Sequence, residues 1–217
     1  MSVSCLGGIV GRLSSQGVEG QQEISPPGWL LTTADGEVAK AAAQLFGGTP
    51  KSRAASPDVM EVLLEADAIG VCLAGAASVA RRFVRRDGAK VVHVCDGGRF
   101  LVPASRLGRH CGCPSLAIDR KIAARKGVGP KPEVELQFRL RAAPELGIFS
   151  LESSSWALAE SLDEVGVPLK GERSPALLEI RIRHTRISLK SGMDVRYSWP
   201  VVAATDQLGG TLQEVAA

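Results

Sequence analysis

"SPDVMEVLLEADAIGV", residues 56 to 71, lies without a gap over "SPALLEIRIRHTRISL", residues 174 to 189. Ser56-Pro57 meets Ser174-Pro175, Glu61 meets Glu179, Val62 meets Ile180, Leu64 meets Ile182, Ile69 meets Ile187 and Val71 meets Leu189. The same order of events precedes each stretch. "GWLLTTADGEVAKAAAQLFGG" passes from the alternating Trp29-Leu31-Thr33 into a helical pattern, and "GIFSLESSSWALAESLDEVG" does so from Ile148 and Phe149. Trp29 stands 27 positions before Ser56 and Ile148 stands 26 before Ser174, so the likeness extends beyond one word.

Each unit reads strand, helix, strand, strand. Asp35 is placed to cap the first helix, which turns Val38, Ala42, Leu45 and Phe46 inward and stops at Gly47-Gly48. One of Ser153 to Ser155 caps the second, with Leu158, Leu162 and Val165 on one face and Gly166 as its stop. Period-two segments follow: Val62-Leu64 then Ile69-Val71, and Leu178-Ile180-Ile182 then Ile187-Leu189. The isoleucines of the last pair point to a core, and Arg181, Arg183 and His184 to solvent or a partner. The predicted fold class is α+β: two related strand-helix-strand-strand lobes with antiparallel sheets, joined by a glycine- and arginine-rich insertion that bears cysteines. The expected organisation is a flexible N-terminal segment (1–27), a first lobe (28–87), a basic insertion (88–132), a second lobe (133–210) and a flexible tail (211–217).

With 217 residues, the chain can bury a core without covalent staples. Its five cysteines are an odd number, and no basic-headed apolar leader precedes them, so a reducing, cytoplasmic setting is expected. No apolar run reaches the roughly 18 residues that span a bilayer. A soluble protein with no membrane partner is expected. The net charge of +3 hides an uneven distribution: from Arg81 to Lys131 there are thirteen Lys and Arg against three acids, leaving the remainder acidic. A basic middle suits an acidic protein surface or nucleic acid, or is a solvated face.

"VVHVCDGGRF…RHCGCP" gathers His93, Cys95, His110, Cys111 and Cys113. Structural zinc takes four thiolate or imidazole ligands in a tetrahedron. His93 precedes Cys95 by two, so on an extended chain both side chains leave one face. His110 adjoins Cys111 and points elsewhere. Three readings stay open at this point: a zinc site of Cys95, Cys111, Cys113 and His93, a degenerate one, or a set of buried thiols. Cys5 and Cys72 belong to no cluster.

Arg81, Arg82, Arg85 and Arg86 are the candidate partner-binding residues. On a helix their spacing makes one basic face suited to phosphates; on a strand they split between two faces. Nothing points to catalysis. There is no P-loop, no glycine fingerprint opening a helix after a strand, no His-Glu-x-x-His and no nucleophile-base-acid order. A cysteine cluster in a glycine-rich loop, without a helix start to lower a thiol pKa, is weak ground for a thiol catalyst.

Read in order, the tryptophan-bearing strand running to "TTAD", the helix ending in Gly-Gly, Cys95-Asp96-Gly97, Cys111-Gly112-Cys113-Pro114 and the run from Phe138 to Trp156 resemble the phage recombination directionality factor-like family of actinobacteria and their phages. The likeness covers about residues 28 to 165. It departs from the family pattern at two places: a further Cys-x-Pro stands here as Pro130-Lys131-Pro132, and a cysteine shortly before Cys-Asp-Gly is replaced by valines and His93. The resemblance implies a non-enzymatic accessory protein. Such a factor binds a large serine integrase on its attachment-site DNA, with indirect or weak DNA contact of its own, and turns recombination from integration to excision. The competing expectation is a basic nucleic-acid-binding protein with a degenerate zinc module, acting without an integrase.

Overall fold

The computed structural model describes residues 8–15, 28–53, 56–165, 176–188 and 194–204. The expected tail at 211–217, the stop at Gly166, the paired Ser174-Pro175 and Cys5 lie outside them. In chain order the elements are β1 (Ile9–Ser15), β2 (Trp29–Thr33), α1 (Gly36–Phe46), β3 (Pro50–Arg53), β4 (Ser56–Leu64), β5 (Ala68–Leu73), β6 (Val79–Asp87), β7 (Lys90–Cys95), β8 (Phe100–Val102), α2 (Ala117–Arg125), β9 (Lys131–Leu140), β10 (Ile148–Ser153), α3 (Trp156–Glu164), β11 (Ala176–Ser188) and β12 (Asp194–Ala204). Among the described residues the architecture is α+β, a mixed and largely antiparallel sheet with three α-helices.

The strands run in the order β12-β11-β5-β9-β10-β1-β2-β4-β3, and β6, β7 and β8 branch from β9. β9 is the hub. Its alternation buries Val134, Leu136, Phe138 and Leu140 while charged neighbours face outward. One edge of β9 pairs with β10. Along the other edge β6 takes Lys131 to Leu136, and β5 takes Arg139 and Leu140. The sheet therefore forks there, one branch leading to β11 and β12, the other to β7 and β8.

The two similar halves share this sheet and one core. Leu13, Trp29, Leu31, Val62 and Leu64 from the first half pack in one cluster with Phe138, Phe149, Leu158, Leu178 and Ile180 from the second. Trp29 is wholly buried and its indole N–H reaches the Asp67 carbonyl at 3.1 Å, so this large ring is buried without an orphaned donor. In the other half, the Ser161 hydroxyl donates to the Leu158 carbonyl and accepts the Val202 N–H at 3.0 Å, tying α3 to β12.

Both helices start where their caps stand. The Asp35 carboxylate accepts the N–H groups of Glu37 and Val38, and the Ser155 hydroxyl accepts that of Leu158. Val38 and Ala42 are buried, whereas Leu45 is exposed and Phe46 only half-buried. Gly48 follows α1 with φ of 97°, and a Cβ there would lie 2.2 Å from the Leu63 carbonyl oxygen.

Three expectations need correction. Within the segment taken as flexible, Ile9–Ser15 form β1, antiparallel to β2 and parallel to β10. The strand sits between two others and buries Leu13, and its polar composition reflects how few of its residues meet the core. In the ungapped overlay, residues 56–71 form two strands with a turn at Glu65 to Asp67, whereas 176–188 run as one strand. Finally, the boundaries drawn at 87/88 and 132/133 fall inside the β6–β7 hairpin and inside β9. The basic segment is thus continuous with the main sheet. Among the described residues no helix is long and apolar enough to cross a membrane.

Candidate metal centre

The β6–β7 hairpin positions the first two ligands. Its register sets Phe83 opposite Cys95 and Arg85 opposite His93, and the two-residue spacing puts His93 and Cys95 on one face. At the end of β7 the chain turns through Asp96-Gly97-Gly98. The Asp96 carboxylate accepts the N–H of Gly98 at 2.8 Å and of Arg99 at 2.7 Å. These two donors hold it below the usual carboxylate range. Gly97 takes a φ of 107°, where a side chain would be strained.

The second pair arrives on a strap laid back across this turn. Phe100 N–H bonds to the Arg109 carbonyl at 2.9 Å, Gly108 N–H to the Phe100 carbonyl at 2.9 Å and Cys111 N–H to the Gly98 carbonyl at 2.9 Å. The Arg99 guanidinium adds a bond to the Gly108 carbonyl at 2.7 Å. His110 is turned aside, its Nδ1 accepting the Gly112 N–H at 3.2 Å. Cys111 and Cys113 meet the hairpin.

His93, Cys95, Cys111 and Cys113 bring their ligand atoms within 4.8 Å of one another. Cys113 Sγ lies 3.8 Å from Cys95 Sγ and 3.4 Å from His93 Nε2. A disulfide requires about 2.05 Å, so these are free thiols. Cys95 is fully buried; the other three are half-buried. Burial pushes the Cys95 thiol up, and burial with the adjoining sulfurs pushes Cys113 up to about 12. Burial first, then the charges of Arg85 and Arg106, moves His93 down. The imidazole is therefore held neutral with a lone pair to offer, and a divalent cation is the agent that would draw protons off such thiols. The four residues can hold a metal. Cys72, as the sequence suggested, is not in the cluster.

Arg120, on α2, is the supporting residue that the sequence reading misses. Its Nε donates to the Pro114 carbonyl at 2.5 Å and a terminal nitrogen donates to the Gly97 carbonyl at 3.0 Å. One side chain therefore pins both ligand-bearing turns, with its guanidinium 5.0 Å above the Phe83 ring. No spacing rule links residue 120 to 97 and 114. Only the return of the chain after the strap brings it there.

The four arginines of β6 split as a strand requires. Arg82 and Arg86 bond Glu133 on neighbouring β9. Arg81 turns to α3, to Asp163 and the Ala159 carbonyl. Arg85 lies beside His93. No single basic face of the helical kind exists here.

A family model described as Gp3-like, recombination directionality factor-like, matches residues 22–170, well over half of the chain. The chain belongs to the recombination directionality factor-like family. The matched span begins before β2 and ends after α3, so this family's matched region includes the hub strand and the whole four-ligand centre. No solved structure matches the chain.

Proposed function

We propose that the protein is a recombination directionality factor that binds a large serine integrase on its attachment-site DNA and shifts recombination from integration to excision, working in the bacterial cytoplasm by binding and without catalysis. The single observation that carries this reading is the family match over residues 22–170. Physically the role needs only a difference in affinity for two arrangements of the integrase. Each tenfold preference is worth about 1.4 kcal/mol, and turning a 1:99 balance into 99:1 takes about 5.5 kcal/mol. The protein's own DNA contact is proposed to be indirect or weak.

The same reading assigns zinc to the four-ligand centre. With Zn–S near 2.3 Å and Zn–N near 2.0–2.1 Å, a tetrahedron sets sulfurs about 3.8 Å apart and sulfur to nitrogen about 3.5 Å apart. The distances in this chain are 3.8 and 3.4 Å. Three thiolates around a divalent cation leave one net negative charge, which Arg85 and Arg106, whose charges act on His93, would offset. A closed four-ligand set serves structure, holding the Cys-Asp-Gly turn and the Cys-Gly-Cys strap to the hairpin.

The rival reading, a nucleic-acid-binding protein that acts alone, draws on the basic middle of the chain. It is weakened because Arg81, Arg82 and Arg86 are bound to carboxylates within the fold. The deciding experiment mixes purified protein with the serine integrase encoded nearest its gene. Co-elution, excision between the hybrid sites and suppressed integration are expected. No binding and no change of direction, with an active integrase as control, would sink the proposal. Tight DNA binding without integrase, falling steeply with salt, would favour the rival.

A further inference from the structure

Helix α2 is amphipathic in the wrong sense for a helix that only packs on its own fold. Two of its cations are turned inward: Arg120 to the Gly97 and Pro114 carbonyls, and Lys121 to Glu160 at 2.8 Å. Ile118 and Ile122, one turn apart, face out at 60% and 43% exposure. Leu116 before the helix and Val128 after it are exposed at 61% and 66%, and Leu107 in the strap at 64%. The exposed large apolar side chains of the described residues are concentrated in this part of the chain. A stretch that turns Arg120 and Lys121 to its own fold and exposes two isoleucines beside Arg125 and Lys126 is built to meet another surface.

Charge narrows the occupant. From Val91 to Val128 there are seven Lys and Arg against two Asp. Among the described residues, the side chains of Arg109, Arg125 and Lys126 make no hydrogen bond or ion pair. Arg125 lies seven positions after Ile118, on the same helix face, and Lys126 adjoins it. A second copy meeting it through the same face would set these cations against themselves. Phosphates would satisfy the cations and leave the isoleucines in water. An acidic amphipathic helix satisfies both: its apolar stripe covers Ile118 and Ile122, and its carboxylates reach Arg125 and Lys126.

We propose that the outward face of α2, Ile118, Ile122, Arg125 and Lys126, is a docking surface for an acidic amphipathic helix of a protein partner. Which protein supplies that helix rests on the integrase reading above. Because Arg120 links α2 to both ligand-bearing turns, this face is presented on the metal module.

The test uses the full chain and the integrase encoded nearest its gene, with affinity read by biolayer interferometry. Two variants are compared with the wild type: Ile118→Ser with Ile122→Ser, and Arg125→Glu with Lys126→Glu. All four side chains point outward, so melting temperature and metal content should hold. If the serine pair unfolds, the charge-reversal pair decides. Expected are a loss of affinity of at least about tenfold for each pair, and for the charge reversal a slower association whose deficit shrinks with added salt. Wild-type binding that neither pair weakens overturns this inference and leaves the integrase reading standing. Failure of the wild type to bind overturns the integrase reading and this surface's assignment with it. Unchanged integrase affinity together with lost affinity for bare attachment-site DNA overturns the protein-docking assignment in favour of a nucleic-acid face.

Discussion

Cys113 lies within reach of both Cys95 and His93, its sulfur 3.8 and 3.4 Å from their ligand atoms, and so joins strap to hairpin. Cys113→Ser and His93→Ala should each cut zinc affinity by more than about 100-fold, the upper end of what loss of a supporting residue costs. His110→Ala, whose ring serves only the Gly112 N–H, should leave metal content unchanged by elemental analysis. Equal loss in all three variants would remove the assigned ligand set. Arg120→Ala is expected to lower affinity about 10- to 100-fold through misplacement of the turns at Gly97 and Pro114. Arg120→Lys should not restore it, because one ammonium cannot replace two guanidinium donors aimed at separate carbonyls. Competition with a chromophoric chelator reads both. The four residues could be named from two facts in the chain, the His93-x-Cys95 spacing and the adjacency that turns His110 away, but the choice between a zinc site, a degenerate one and buried thiols could not be read from them. Arg120 was not, since its partners lie 23 and 6 residues back along the chain.

At the level of elements, β6 and β9 are joined by more than their ladder. Glu133 takes Arg82 at 3.0 Å and Arg86 as well. Partial burial pushes its pKa up, but the hydrogen bonds and charges of the two arginines outweigh that and leave it below the usual glutamate value. The folded state thus binds its proton more weakly than the unfolded chain. The contribution is present above the unfolded pKa, about 4.3, and is lost as pH falls through the lower folded value. The melting temperature of Glu133→Gln should therefore lie below wild type at neutral pH, by an effect of order 1 kcal/mol for such part-exposed pairs. The two should converge as the pH drops below about 4. A gap that persists in acid would show that the carboxylate charge is not the cause. Helix caps at Asp35 and Ser155 were readable because capping is local chemistry. β9 shows Val134, Leu136, Phe138 and Leu140 at strict period two, yet it is absent from the expected elements, because the prolines and lysine at its start mimic a loop. The arginines of β6 fit a helix or a strand by spacing alone, and pairing with β7 and β9 decided between them.

For the whole molecule, the sequence likeness between halves suggests two bodies, while β9 and the common core join them. Phe138 is buried on β9 and stacks with Phe149 on β10 at 6.3 Å between ring centroids. Phe138→Ala is expected to cost about 3–5 kcal/mol, and unfolding of both wild type and variant should remain one cooperative transition, with calorimetric and van't Hoff enthalpies equal. Two resolved transitions, with only the later one shifted by the substitution, would mean that the halves fold apart. Removal of the proposed zinc by a chelator before the scan should lower the melting temperature of the one cooperative transition, because a closed site contributes its binding free energy to folding.

Local chemistry alone determined where α1 and α3 begin, which residues of the strands around Leu64, Val71 and Ile180 face inward, and that His93 and Cys95 leave one face together, whereas the meeting of that pair with Cys111 and Cys113 was decided by the fold. Each local feature depends on neighbours within a few positions: a cap and its N–H, an alternating period, a pair of ligands two apart. The fork at β9, the insertion of β1 between β2 and β10, the clamp by Arg120 and the outward isoleucines of α2 were decided by tertiary structure. They depend on which distant segments share a sheet edge or leave a face uncovered, and that follows from burying one core between strands drawn from both ends of the chain.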